Sequence, residues 1–414
     1  MINIKELKNG IRVVTEKIDY VESVSFGVWV KQGAVDELPE VSGISHFIEH
    51  MMFKGTEKRD AKTIAEDIDR IGGQINAFTG KEATCYYVKM VKNNLEKGAE
   101  VVIDMLNNSV FDQKELSRER KVIFEEMKMT EDTPDELAHD EIMEVVFKGN
   151  SLGNSIIGKR KTLNSINHDI ILNYKKENYS KDSVVISVAG NFDEDKFIEF
   201  LENKFDRLND RKEKKRYLTE PYKTGFKTIK KDIQQSHICL AARGVRLDDE
   251  RYYQLNILNN VMGSSMSSRL FQNIREKKGL AYSVYSMTSS FSFDGYFNIY
   301  MGVANDKIGK ALDGIKQELD LLERKGISQD ELTMSKEQLK ASYTFSQENV
   351  ASRMFSNGKN TILLGKTRTG EEVLSEIDKV SMDDIEKIKE LICNTDLYSG
   401  VLVTGSDVNI KKLW

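Results

Sequence analysis

Apolar and polar residues recur along the chain in two similar series. In each series, an alternating apolar and polar stretch typical of a half-buried strand precedes a helix-like period and then two further strands. The first series places these elements at residues 21–35, 42–53, 75–79 and 84–91. The second series places them at residues 235–247, about 251–262, 281–291 and 295–303. The order of the elements therefore indicates a diverged tandem repeat.

Both series continue with helices and one more strand. The helical pattern at 94–108 corresponds to that at about 305–324, and Glu115-Leu116-Ser117 corresponds to Glu331-Leu332-Thr333. The apolar strands at 182–190 and 396–404 then complete the two halves. In this alignment Glu119 falls opposite Ser335 and Glu126 falls opposite Ser342, so we expect the halves to have different chemistry.

A charged stretch lies between the halves. Residues 211–216 read RKEKKR, and Pro221 and Gly225 follow, which is typical of an exposed connector. We therefore predict an α+β fold with two homologous domains, each an antiparallel sheet covered by helices. The predicted bounds are 1–210 for the first domain, 211–228 for the linker and 229–414 for the second domain.

Composition narrows the class of protein. The chain has 414 residues, 39% of them hydrophobic and 31% charged, and a net charge of -5, so we expect neither nucleic-acid nor membrane binding. The N-terminal residues carry charge early and lack the apolar segment of a signal peptide. The three cysteines lie far apart, which suits a reducing compartment. We therefore expect a cytoplasmic protein.

Residues 46–50 contain the most informative motif. They read His-Phe-Ile-Glu-His, which is H-x-x-E-H, the reverse of the common zinc-peptidase motif. On a helix, His46 and His50 share one face and can bind one metal ion. Glu49 lies beside them, where its carboxylate can act on a water molecule without binding the metal. With only five histidines in the chain, the motif rarely arises by chance.

A third protein ligand is needed for a catalytic zinc ion. His139 and His168 lie in polar segments without a partner at ligand spacing, and His237 lies on a predicted strand, so we expect none of the three to bind the metal. A carboxylate on the predicted helix 115–129 is the better candidate. Glu119 and Glu126 lie two turns apart on one face, but the periodicity does not separate Glu126 from Glu125.

Five segments carry a resemblance to a known family. They are GISHFIEHM at 43–51, NAFT at 76–79, ERKVIFEEM at 119–127, GSSMSSRLF at 263–271 and IREKKGLAY at 274–282. The chain resembles the pitrilysin, insulinase and mitochondrial processing peptidase family. The likeness is strongest to its short two-domain bacterial members and to the catalytic processing-peptidase subunit.

The resemblance implies a complete site. It implies one Zn²⁺ per chain, bound by His46, His50 and Glu126, with Glu49 as general base. It also implies that Glu119 supports one of the ligands through a hydrogen bond.

Substrate binding is expected at two places. The stretch Gln74–Thr79 lies between glycines, so it is a candidate edge strand to which an extended peptide adds by backbone hydrogen bonds. The resemblance implies that Asn76, Ala77 and Phe78 line this part of the site. It also implies that Arg275 and Tyr282 reach the substrate from the second domain, with the two domains facing each other as a clam shell.

The function implied is that of a zinc metalloendopeptidase, a hydrolase that acts on unfolded peptides in a chamber between two domains. A homodimer is expected, because short members of the family form dimers. Two alternatives stay open. One is a noncatalytic peptide-binding or partner subunit of the same fold, and the other is a zinc-bound peptide-binding module with little turnover.

Overall fold

The computed structural model describes residues 2–202, 204–210, 220 and 222–414. The chain divides into two compact units, each made of three segments. Unit 1 comprises Met1–Met127, Asn154–Tyr217 and Phe345–Thr369. Unit 2 comprises Lys128–Gly153, Leu218–Thr344 and Gly370–Trp414.

The described residues form eleven strands. Six belong to unit 1: β1 (Ile2–Glu6), β2 (Arg12–Lys17), β3 (Ser23–Val30), β4 (Gln74–Thr79), β5 (Thr84–Val91) and β6 (Val184–Gly190). Five belong to unit 2: β7 (Phe226–Lys230), β8 (Gln235–Arg243), β9 (Ala281–Ser290), β10 (Gly295–Ala304) and β11 (Ser399–Thr404).

The described residues also form sixteen α-helices. The first eight are α1 (Ile44–Met52), α2 (Ala61–Arg70), α3 (Leu95–Asn108), α4 (Gln113–Asp132), α5 (Pro134–Val146), α6 (Arg160–Ser165), α7 (His168–Asn178) and α8 (Glu194–Leu201). The others are α9 (Tyr252–Asn259), α10 (Ile308–Lys325), α11 (Gln329–Ser346), α12 (Val350–Leu364), α13 (Gly370–Lys379), α14 (Met382–Ile388), α15 (Glu390–Cys393) and α16 (Ile410–Leu413). Two π-helical segments, Asn260–Ser264 and Phe271–Lys277, also lie in unit 2.

The sheet of unit 1 has the strand order β1-β2-β6-β3-β5-β4. Its central strands β3 and β6 are buried along almost their whole length, as expected for strands covered on both faces. The strand β2 runs parallel to β6, and all other neighbours are antiparallel. The strand β4 pairs only with β5 and is therefore an edge of the sheet.

The sheet of unit 2 repeats this topology. Its order is β7-β11-β8-β10-β9, with one parallel pair, β7 and β11, and antiparallel pairs elsewhere. The strands correspond one to one with β2-β6-β3-β5-β4 of unit 1. The α+β fold with two related domains is thus confirmed, except that each sheet holds one parallel pair and is not purely antiparallel.

The compact units differ from the continuous domains predicted at 1–210 and 229–414. The helix α12, from the second half of the chain, packs on β3, β6 and β2 of unit 1. The helix α5, from the first half, packs on β11 and β8 of unit 2. Each sheet has an apolar second face that its own half leaves uncovered, so burial of this face draws in a helix from the other half.

The contact between α12 and the sheet of unit 1 is unusually close. A side chain at Gly358 would overlap the indole of Trp29, and one at Gly27 would overlap the thioether of Met354. The buried carboxylate of Glu16 accepts hydrogen bonds from Arg353 on α12, at 2.5 Å, and from Asn357, also on α12, at 2.7 Å. Apolar packing and a satisfied buried charge together fix this helix on unit 1.

Several other elements depart from the sequence-based expectation. The short strands β1, β2 and β7 were not predicted, and β7 begins at Phe226, so the last residues of the predicted linker 211–228 belong to a sheet. Residues 211–219 and 221 of that linker lie outside the described residues. Within the part of the chain that the structure describes, a search for helices long and apolar enough to cross a membrane finds none.

We predict that Gly358→Ala destabilises unit 1. The added methyl group has to displace Trp29 or shift α12, and such overpacking costs about 1–3 kcal/mol. Thermal unfolding followed by near-ultraviolet circular dichroism should show a lower midpoint for the first transition. Gly309→Ala in α10 is the matched control, because its Cβ meets no atom within 4 Å, and it should unfold at or above the wild-type temperature. Equal midpoints for Gly358→Ala and wild type would contradict the close packing.

Candidate metal centre

The helix α1 presents the H-x-x-E-H motif on its partly exposed side. Its opposite side is fully buried, with Phe47, Ile48, Met51 and Met52 at 0% exposure. Because residues three and four apart share a face, His46, Glu49 and His50 line up on the other side. The apolar pattern of α1 thus decides which way the motif points.

The helix α4 brings a carboxylate to these histidines. The Nε2 atoms of His46 and His50 lie 3.9 Å and 3.5 Å from Oε2 of Glu126. Ligand atoms of all three residues lie within 4.8 Å of one another. Among the described residues, no other group of three His, Cys, Asp or Glu side chains is placed to hold a metal ion.

The three side chains fit a zinc ion. Two ligands of a tetrahedral zinc ion, with bonds of 2.0–2.2 Å, lie roughly 3.3 Å apart, and the observed separations of 3.5 Å and 3.9 Å are close to this. Burial, together with the neighbouring His50, lowers the pKa of His46 to about 4. His46 is therefore neutral at physiological pH, which is the form that binds a metal.

Glu119 supports one of the three. Its Oε2 lies 3.3 Å from Nδ1 of His50, and its Oε1 accepts a hydrogen bond from Lys54 at 2.8 Å. A proton on Nδ1 of His50 leaves Nε2 with its lone pair toward Glu126. The glutamate is itself buried, at 4% exposure, and the ammonium group of Lys54 compensates its charge. The role of Lys54 was not predicted from the sequence.

Glu49 does not belong to the ligand group. Its Oε2 instead accepts a short hydrogen bond from the hydroxyl of Thr79, the last residue of β4. Burial raises the pKa of Glu49, while this hydrogen bond and the nearby His50 lower it in part. The carboxylate is thus held beside the three candidate ligands and bonded to the edge strand.

The edge strand β4 divides its side chains between two faces. Thr79 contacts Glu49 on the α1 side, and Ala77, two residues earlier, lies on the same face. Phe78 lies on the opposite face, where its ring packs 5.7 Å from that of Phe355 on α12. Asn76 shares that face with Phe78 by alternation. Of the predicted substrate-binding residues on β4, only Ala77 therefore points to the metal side.

The two remaining predicted residues lie in unit 2. Arg275 lies in the π-helical segment Phe271–Lys277, and its guanidinium group stands 4.7 Å from the ring centre of Phe271 and 5.9 Å from that of Tyr282. Tyr282, on the edge strand β9, is 79% exposed. The structure places these two side chains together and leaves the hydroxyl of Tyr282 accessible.

The other histidines have neighbours of their own. His139 on α5 lies with Nε2 2.9 Å from the hydroxyl of Tyr285, and His237 lies with Nδ1 2.8 Å from the hydroxyl of Tyr300. His168 is the first residue of α7. None of the three lies in the ligand group that the described residues form.

Glu37 is a further residue that the sequence did not single out. Its carboxylate accepts hydrogen bonds from the backbone N–H groups of Gly43, at 2.6 Å, and Ser45, at 2.8 Å, at the start of α1. These are N–H groups that a helix cannot satisfy internally. Glu37 is 1% exposed, and burial raises its pKa to about 7. An acidic residue shortly before a Ser-Gly helix start was the only signal for this role.

Two family models match most of the chain. The model described as insulinase, peptidase family M16, matches residues 12–160, which include the H-x-x-E-H motif and Glu126. The model described as the peptidase M16 inactive domain matches residues 165–339. The chain belongs to the M16 peptidase family. The predicted resemblance is thus confirmed.

Named relatives of this M16 member include several bacterial zinc proteases. It is 44% identical over 407 residues to an uncharacterized zinc protease, YmxG, of Bacillus subtilis, covering 98% of this chain and 99% of that one. It is 38% identical to an uncharacterized zinc protease of Rickettsia felis, covering 97% of each chain. The relatives match it over nearly their whole length.

Two solved structures share the fold of this M16 member. A protease from Helicobacter pylori has a TM-score of 0.89 at 20% identity, covering 98% of this chain and 99% of that chain. A peptidase M16 inactive domain from Pseudomonas fluorescens has the same TM-score at 17% identity and covers 98% of each chain. At these identities the likeness shows the fold alone.

We predict that Glu126→Gln weakens zinc binding by this M16 member, whereas Glu125→Gln does not. Loss of a residue that only supports a ligand costs about 10- to 100-fold in affinity, so loss of the ligand itself should cost at least that. Titration of metal-free protein against a chromophoric chelator measures the effect. Glu125 is exposed and adjacent, so it controls for charge alone. Equal affinities for the two variants would remove Glu126 from the ligand set.

We predict that Glu37 makes the stability of the metal-free M16 chain depend on pH. Its pKa in the folded state, about 7, lies above the ordinary value of 4.5. Its contribution is therefore complete below about pH 4.5 and is lost as the pH rises through about 7, by roughly 3 kcal/mol. Denaturant unfolding from pH 4 to 8 should show this decline for wild type relative to Glu37→Gln. The exposed Glu40→Gln should follow wild type, and parallel curves for wild type and Glu37→Gln would contradict the assignment.

Proposed function

We propose that this M16 family member is a zinc-dependent endopeptidase that hydrolyses unfolded peptides, with Glu49 as general base. One observation carries the proposal. The side chains of His46, His50 and Glu126 converge within 4.8 Å of one another, and Glu49 lies on the same face of α1 beside an exposed edge strand. Two imidazoles and two carboxylates in this arrangement suit hydrolysis of an amide bond.

The ligand set is suited to one zinc ion per chain. When bound there, zinc supplies a Lewis acid that lowers the pKa of a water molecule and polarises a carbonyl group. The printed names of several relatives, including those of Bacillus subtilis and Rickettsia felis, describe them as zinc proteases, which supports the choice of metal.

Glu49 handles the proton in this proposal. One carboxylate oxygen is bonded to Thr79, and the other is available to a water molecule. As that water attacks the peptide carbonyl, Glu49 takes its proton and then passes the proton to the leaving amine. The raised pKa of Glu49 makes its carboxylate a better proton acceptor than an ordinary exposed glutamate.

The edge strand β4 positions the peptide. Its outer backbone N–H and C=O groups have no strand partner in the described sheet, so an extended peptide can add to them as a further strand. Backbone hydrogen bonds recognise any sequence that can become extended, which excludes segments held in a compact fold. Ala77 is a small side chain on the metal side and leaves room for the substrate.

Arg275 and Tyr282 complete the predicted substrate contacts. A guanidinium group and a phenol can donate hydrogen bonds to substrate carbonyl or oxyanion oxygens, and the exposure of Tyr282 leaves its hydroxyl free to do so. These roles stay predictions, as do the chamber between two domains, the homodimer and the cytoplasmic location.

We predict that Glu49→Gln abolishes cleavage without loss of metal. Glutamine keeps the size of the side chain but cannot take a proton, and a general base contributes about 100- to 10,000-fold to the rate. Cleavage of quenched fluorescent peptides without stable structure should fall by this factor, while zinc content by mass spectrometry stays near one per chain.

Three outcomes of this comparison separate the alternatives. A tightly folded protein of similar sequence content serves as the substrate control, and wild type should leave it intact. Wild type that binds zinc and extended peptide but cleaves nothing would favour the noncatalytic peptide-binding or partner-subunit reading. If neither protein binds zinc, the ligand assignment is wrong.

A further inference from the structure

Thr79 contacts the proposed general base directly. It is the last residue of β4, its side chain faces α1, and its hydroxyl donates a hydrogen bond to Oε2 of Glu49. A carboxylate turns easily about its last single bond and has two oxygens that can accept protons. A donor fixed to one oxygen therefore selects which oxygen remains for a water molecule.

The position of Thr79 is set by the turn that follows it. The N–H of Gly80 bonds to the carbonyl of Ala83 at 2.9 Å, which closes the hairpin between β4 and β5. This turn is tied to residues 33–35, because Val35 donates its N–H to the carbonyl of Lys81 at 2.9 Å. A side chain at Gly33 would stand 2.5 Å from the carbonyl oxygens of this turn, so the two segments lie in close contact.

The same segment also holds α1. Glu37 lies two residues beyond Val35 and accepts the hydrogen bonds of Gly43 and Ser45 at the start of that helix. Residues 33–37 therefore fasten the hairpin turn at one end and α1 at the other. This short connection fixes the separation between Thr79 on the hairpin and Glu49 on the helix.

We propose that Thr79 is a positioning residue for catalysis, which holds one oxygen of Glu49 and leaves the other directed at the attacking water. The inference rests on the proposed function of Glu49 as general base. It also makes the peptide-binding strand and the base parts of one hydrogen-bonded assembly, since the residue that orients the base is in the strand itself.

Thr84 offers a matched comparison within the same hairpin. It is the cross-strand partner of Thr79, so both side chains lie on the same face of the sheet. The hydroxyl of Thr84 donates to the backbone carbonyl of Gln32 at 2.9 Å and not to Glu49. Both threonines thus make a hydrogen bond of similar kind, but only Thr79 bonds to the base.

We predict that Thr79→Val lowers kcat by about 10- to 100-fold, in the range found when residues that orient catalytic groups are removed. Valine keeps the shape of threonine and removes only the hydroxyl, so KM and zinc content should stay within about twofold of wild type. Thr79→Ser restores the donor and should recover most of the lost kcat. Steady-state cleavage of an unstructured quenched peptide measures all three quantities.

The control and a second measurement keep the test decisive. Thr84→Val should lower the unfolding temperature at least as much as Thr79→Val but retain wild-type kcat. If Thr79→Val matches wild type in kcat, or if Thr84→Val loses as much kcat as Thr79→Val, Thr79 has no special role.

Crystal structures separate a failure of this inference from a failure of the proposed function. In Thr79→Val, we expect the Glu49 carboxylate to rotate or to occupy two orientations, while His46, His50 and Glu126 keep their places. A Glu49 carboxylate that stays in its wild-type orientation would overturn the inference even for a protein that cleaves no peptide. An inactive wild type with a reoriented Glu49 in Thr79→Val would overturn the proposed function alone.

Discussion

Burial of one side of α1 is the constraint on which the candidate site depends. Phe47, Ile48 and Met51 have no exposed surface, so the helix has only one rotation about its axis that satisfies its apolar side chains. That rotation places His46, Glu49 and His50 on the opposite side. Glu37 at the helix start and Glu119 along its flank add hydrogen bonds that hold this orientation.

The two units show how one framework can carry chemistry in one copy and lack it in the other. Their sheets share the same strand order and the same parallel pair. The helices α4 and α11 begin at Gln113 and Gln329, in equivalent register, so Glu119 corresponds to Ser335. Serine binds zinc poorly beside imidazole and carboxylate ligands, so the repeat preserves packing while the metal ligands differ.

The exchange of helices between the halves of the chain has a simple physical origin. A sheet whose central strands are apolar on both faces has to be covered on both. In unit 1 the second cover is α12, and Gly27 and Gly358 permit its backbone to approach the sheet. Folding of the unit that holds the candidate metal ligands therefore needs residues far beyond position 210 in sequence.

Local sequence patterns determined the α+β class, the tandem repeat and the position of the histidine motif, because periodicity and residue spacing act within a few turns or strands. Tertiary structure decided the rest. Periodicity did not separate Glu126 from Glu125, since adjacent residues on a surface helix look alike until a partner helix is in place. Lys54, Thr79 and Glu37 were missed for the same reason: each acts through a contact that exists only once distant segments have packed together.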